Sequence, residues 1–231
     1  RQLLEYQTKY NRCLLRGISI DSFKQLDLRR SPLSHKGSYG KALLVGGSPG
    51  MSGSMLLALR AAQATGVGYA YVRAPGEIVP ELLQASPESL IDSLPRTEEV
   101  WKKLISQVDS VLLGPGAGRA DWLDQVFPVL SQSKRLIIDA DGLNFLAEYP
   151  EGKALLCIRM EQGLSPAVLT PHPGEFKRLA PKLAELLARD RQAAAAELAK
   201  EYSSVVVLKG HASVIALPSG KCFINASGNA A

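Results

Sequence analysis

Between Thr170 and Glu175 the chain reads Thr-Pro-His-Pro-Gly-Glu, a histidine set between two prolines with a carboxylate three positions on. Pro171 and Pro173 fix their own φ, and Pro173 also biases His172 toward an extended backbone. An imidazole held that stiffly can donate to or accept from a polar ligand. Glu175, in the first turn of a following helix, can hold a Mg2+-bound water. The plainer reading is a proline-started helix with an incidental histidine.

Four other loops combine residues of this kind. Gly46 to Ser54 (GGSPGMSGS) is a strand-to-helix turn whose N–H groups can face an anion. It lacks the Gly-Lys-Ser/Thr ending of a P-loop, and its plainer reading is a tight turn capped by Ser52 or Ser54. GPGAGR (114–119) offers main chain without β-carbons at Gly114, Gly116 and Gly118, close enough for a flat ring or a phosphate, or else a turn that needs positive φ. DADGLN (139–144) sets Asp139 and Asp141 two apart at a strand end, able to hold a metal or orient a hydroxyl, unless Asp141 caps a helix starting at Gly142. LKGHAS (208–213) places Lys209 beside Gly210, either poised for phosphate charge or simply solvated before a turn.

The elements that must carry these loops follow from periodicity. Apolar or β-branched runs at 41–47, 69–75, 110–116, 135–141, 167–173 and 204–210 alternate with helical spacing at 54–65, 97–107, 121–132 and 190–202. Strands of this kind predict an α/β domain with a mostly parallel central sheet and helices on both faces, three layers in all. Two runs joined by Pro-Ser-Gly, within 213–225, predict an edge hairpin near the C-terminus. Residues 1–30, Leu/Arg-rich and without a strand run, read as a helical arm or linker before a domain over 31–231. In open α/β sheets ligands bind beyond the carboxyl ends of the strands, which is where all five loops fall.

Composition narrows the partners. The net charge is +5, and residues 1–41 hold nine Lys/Arg against three Asp/Glu, so the remainder nearly balances. Without interleaved aromatics that segment argues against nucleic acid and for a basic rim that attracts a phosphorylated small molecule. No apolar run reaches membrane-spanning length, no signal-peptide order opens the chain, and three scattered cysteines fit a reducing compartment, hence a cytoplasmic protein.

Taken in order, SHKGSYGKALLVGGS, MSGSMLLALRAA, GPGAGR, DADGLN, TPHPGEF and LKGHAS resemble the signature segments of the ribokinase-like NAD(P)H-hydrate dehydratases, the YjeF C-terminal domain family. The likeness covers residues 34 to 231. It implies nucleotide-dependent dehydration of hydrated NADH or NADPH (NADHX and NADPHX), a carbon–oxygen lyase reaction that repairs the cofactor. The TPHPGE form resembles the branch that uses ADP, whereas relatives using ATP carry Asn where His172 stands.

Residue by residue, the resemblance places Ser54, Gly116, Gly118 and His172 near the hydrate. It places Lys209, Gly210, His211, Ala212 and Ser213 around the adenine nucleotide, and Glu175 around Mg2+. Ser54 stands where the family commonly has Ala. The family would continue past Ala231 into a Gly-x-Gly-Asp segment whose Asp is the general base. The 231 residues therefore read as an incomplete piece in which no catalytic base is named. A homo-oligomer and an upstream epimerase domain are also implied. Two rivals stand beside this reading: a small-molecule kinase of the same superfamily, and a non-catalytic nucleotide-binding module if the chain ends at Ala231.

Overall fold

The alternation seen in the sequence becomes a succession of short strands and helices in the computed structural model, which describes residues 16–18, 29–119 and 121–225. The strands are β1 (Arg16–Gly17), β2 (Lys41–Val45), β3 (Tyr69–Ala74), β4 (Leu90–Ser93), β5 (Ser110–Leu113), β6 (Leu136–Ile138), β7 (Val168–Leu169), β8 (Val205–Leu208), β9 (Ser213–Ala216) and β10 (Cys222–Asn225). The helices are α1 (Ser52–Ala64), α2 (Val79–Ala85), α3 (Glu98–Ser106), α4 (Trp122–Leu130), α5 (Asp141–Glu148), α6 (Pro150–Cys157), α7 (Pro173–Leu179), α8 (Ala184–Arg189) and α9 (Arg191–Glu201). They fall into two compact units, residues 31–167 and residues 1–30 with 168–231.

In the unit of residues 31–167 five parallel strands run in the order β6-β5-β2-β3-β4. Leu44 lies in register with Val72 and Leu112, so these three share a face. Leu44 and Val72 pack with Met55 and Leu59, one helical turn apart on α1, and with Leu82 of α2. The opposite face carries Leu43, Val45, Val111 and Leu113, all wholly buried. Burial on both faces is what a parallel sheet requires, and each such side chain contributes about 1.5–3 kcal/mol. Helix α3 turns Trp101, Leu104 and Ile105 inward at the spacing of an amphipathic helix.

Arg159 is wholly buried in this unit and, among the described residues, pairs with no carboxylate. Its fork donates to the carbonyls of Ser131, Ser133 (2.9 Å) and Lys134 (3.5 Å), and its Nε donates to that of Ser165 (3.1 Å). Burial lowers its pKa to about 10, so the guanidinium stays charged at neutral pH.

In the other unit β7 and β8 are parallel, while β8, β9 and β10 form an antiparallel meander. The predicted hairpin is present, its turn closed by the Leu217 N–H on the Lys221 carbonyl at 2.9 Å. One strand was not foreseen: β1 pairs in parallel along the outer side of β10. The rest of the expected N-terminal arm lies outside the described residues, apart from Ile18, Arg29 and Arg30. Ala194, Ala195, Leu198 and Ala199 of α9 are wholly buried where the helix packs on β8 and β9.

Candidate functional site

Each chemistry-bearing loop leaves the carboxyl end of a strand, and the loops lock together in pairs. In the unit of residues 31–167 the Gly47 N–H donates to the Pro115 carbonyl (2.9 Å) and the Ser48 hydroxyl to that of Gly116 (2.9 Å). The main chains come this close because side chains are absent: a β-carbon on Gly114, at φ +117°, would lie 2.1 Å from the Asp139 carbonyl oxygen.

Ser54 and Gly116, both expected near the hydrate, are neighbours. A β-carbon on Gly116 would stand 3.0 Å from that of Ser54. Both line the head of a cleft of about 650 Å³ together with Asp139 and Ala140, while Leu112 and Ile137 contribute its apolar floor and Leu57 and Ala58 of α1 a wall.

Two expectations about caps change here. The N-cap of α1 is Met51, whose side chain makes no cap, and the Ser52 hydroxyl donates instead to Glu81 Oε1 at 2.7 Å. Neither Ser52 nor Ser54 caps the helix. Helix α5 begins at Asp141, not Gly142, and Ala140 occupies the N-cap at φ +51°. The Asp141 carboxylate accepts the Gly118 N–H (2.8 Å) and the Asn144 amide (3.1 Å). Asp141 therefore pins the glycine loop, a role that spacing alone did not signal, since its partner lies 23 residues away. Gly118 is held by this bond and, unlike Ser54 and Gly116, does not line the cleft.

In the other unit His172, Glu175 and Lys209 converge. His172 is the N-cap of α7: its Nδ1 accepts the N–H groups of Gly174 (2.9 Å) and Glu175 (3.3 Å), while Glu175 Oε2 accepts the His172 N–H (2.7 Å). This reciprocal pair is a capping box with histidine in the place usually held by Ser or Thr. The two alternatives weighed for His172 are thus partly the same thing, because the imidazole is the cap. With Nδ1 accepting, the ring N–H left to donate is assigned to Nε2, 3.5 Å from Glu175 Oε1, on a side chain that is half-exposed.

Lys209 Nζ stands 3.7 Å from Glu175 Oε2, and its own N–H donates to the Pro171 carbonyl at 2.9 Å. The two loops are therefore joined by backbone and by charge. Beyond Lys209, Gly210 and His211 are exposed, Ala212 adopts φ +54°, and the Ser213 hydroxyl donates to the Gly210 carbonyl at 3.2 Å.

The class this architecture defines is the ribokinase-like α/β fold. A ribokinase-like superfamily protein of Enterococcus faecalis superposes with a TM-score of 0.74 at 23% identity, over 93% of this chain and 72% of that one. Within that class the chain belongs to the NAD(P)H-hydrate dehydratase family, whose profile matches residues 42–231.

The chain is similar to the crystal structure of the ADP/ATP-dependent NAD(P)H-hydrate dehydratase of Bacillus subtilis, co-crystallised with ATP/Mg2+, with a TM-score of 0.76 and 29% identity, over 94% of this chain and 74% of that one. The ADP-dependent (S)-NAD(P)H-hydrate dehydratase of B. subtilis is 34% identical over 208 residues, 87% of this chain and 69% of its own length. A bifunctional NAD(P)H-hydrate repair enzyme of Moorella thermoacetica is 35% identical over 214 residues, 87% of this chain. The chain spans 39% of that relative's length, and 45% and 40% of its counterparts from Thermofilum pendens and Gloeobacter violaceus.

Proposed function

We propose that this chain performs the dehydratase step of cofactor repair: ADP-dependent, with ATP as the lesser donor, acting on the hydrated forms of NADH and NADPH. The reading rests above all on the pairwise locking of the family loops, 46–48 with 115–118 and 170–175 with 209, at strand ends. The ring hydroxyl of the hydrate attacks the β-phosphorus of ADP, AMP departs, and the hydroxyl proton passes to a base. The phosphoester then loses phosphate with the C–O electron pair and a proton from the neighbouring carbon, restoring the reduced ring. Transfer of this kind is chiefly positioning and charge neutralisation.

In this scheme Ser54 and Gly116 bound the hydrate ring, Gly118 fixes the loop that approaches it, and the Nε2–H of His172 donates to the substrate. Lys209 meets phosphate charge, while Gly210, His211, Ala212 and Ser213 surround the nucleotide. Glu175 does not fit a direct Mg2+ ligand: its side chain is 6% exposed, Oε2 is taken by the His172 N–H, and Lys209 stands against it. Any Mg2+ belongs with the nucleotide phosphates, where this ion keeps most of its ligands, and no step is assigned to it.

The same reading takes the protein to be a cytoplasmic homo-oligomer with an epimerase domain preceding this one. Among the described residues no helix is long and apolar enough to cross a membrane.

The test is product identity. The complete protein, given hydrated NADH, ADP and Mg2+, regains reduced-nicotinamide absorbance with AMP and phosphate in equal amounts. A flat absorbance with an accumulating phosphoester marks a small-molecule kinase instead.

A further inference from the structure

We propose that Arg191, at the first position of α9, is the positioning residue of the nucleotide loop, fixing the carbonyl side of Leu208 and Lys209 so that Gly210 to Ser213 keep one shape. This rests on the proposed placement of the adenine nucleotide at 209–213.

A cation in the first turn of a helix opposes the helix dipole, so Arg191 stands in an unfavourable place for α9 itself. The end is already capped without it, because Asp190 Oδ1 accepts the N–H groups of Gln192 and Ala193, each at 3.0 Å. What Arg191 does is reach out of the helix. One terminal nitrogen donates to the Lys209 carbonyl at 3.2 Å and the Leu208 carbonyl at 3.4 Å. Its Nε is buried and has no hydrogen-bond partner among the described residues, a desolvation cost that a merely solvated arginine would not carry.

Gly210 is shaped to receive this side chain. A β-carbon there would fall 2.7 Å from both terminal nitrogens and 3.1 Å from Cζ, and the residue sits at φ +149°. The guanidinium therefore meets the glycine end-on, with the edge formed by its two terminal nitrogens, and leaves no room for a β-carbon. Lys209 is held on its other side by its N–H on the Pro171 carbonyl at 2.9 Å. Its peptide groups are thus gripped at both ends, with its ammonium aimed at Glu175 (3.7 Å). Both carbonyls are served by one terminal nitrogen, whose direction the planar guanidinium fixes as a freely rotating ammonium does not.

Two variants and two readouts test this. Arg191→Met keeps the stem and its packing, and Arg191→Lys keeps the charge but not the fork. Amide hydrogen exchange at Gly210 to Ser213 in ligand-free protein, and ADP affinity by calorimetry, are compared with the wild type. The expected result for Arg191→Met is exchange about tenfold faster and ADP binding about tenfold weaker, with Arg191→Lys in between, as for misplacement of a binding group. If both variants fold and leave exchange and affinity within about twofold of the wild type, the loop needs no prop and the proposal is overturned. Should Arg191→Met fail to fold, Arg191→Lys decides by the same two criteria. A wild-type protein that binds no ADP refutes the nucleotide reading, while the exchange readout still judges Arg191.

Discussion

Gly118 and Asp141 are tied across 23 residues of chain, the glycine N–H resting on Asp141 Oδ2 at 2.8 Å. The contact crosses from the loop after β5 to the start of α5, and it converts a suspected carboxylate pair into one anchor and one cleft-lining residue, Asp139. Asp141→Ala should destabilise the protein by about 1–3 kcal/mol in urea unfolding, because a part-buried N–H loses its acceptor. Asp141→Asn keeps an acceptor oxygen and should cost less. The Gly118 amide should exchange faster in the alanine variant.

His172 joins a structural and a chemical role that two substitutions separate. Asn is a good N-cap, so His172→Asn should hold stability within about 0.5 kcal/mol, whereas His172→Ala should lose about 1 kcal/mol with the cap. Both remove Nε2–H, and both should weaken hydrate binding about tenfold by titration, the loss of one hydrogen bond. Unchanged affinity in the stable asparagine variant would confine the histidine to capping.

Glu175 offers a comparable separation. Glu175→Gln keeps an oxygen for the His172 N–H but removes the charge facing Lys209. ADP affinity should shift, while the Mg2+ concentration for half-maximal activity should stay within about twofold, since Mg2+ of this kind is held by substrate phosphates. A large rise in the Mg2+ requirement would restore the carboxylate to the metal.

Arg159 donates to four main-chain carbonyls, those of Ser131, Ser133, Lys134 and Ser165. Arg159→Lys should cost about 2–4 kcal/mol in denaturant unfolding, because a single ammonium cannot serve four carbonyls that then lie buried.

Much of this was legible in the chain. Six of the strands announced themselves as apolar runs, because one face is fully buried and the other at least partly so, and the two hairpin strands by the Pro-Ser-Gly between them. The Leu90–Ser93 strand did not, since Asp92 and Ser93 are exposed and leave no apolar run to notice. Arg16–Gly17 is two residues long and carries no pattern at all. The site's residue types and loops were readable for a related reason, as glycines forced by close main-chain approach are compositional marks. Partnerships were not. The Asp141–Gly118, Arg191–Lys209 and Arg159–Ser165 contacts depend on which loops the sheet order brings together, and strand order is a tertiary outcome that periodicity does not encode.

The account depends on one chain holding two different nucleotides at once. Calorimetric titration of hydrated NADH into protein already saturated with ADP tests this directly. A second one-to-one isotherm, with ADP still bound, is the predicted result. Competition between the two for a single site, or no heat from the hydrate at all, would contradict it.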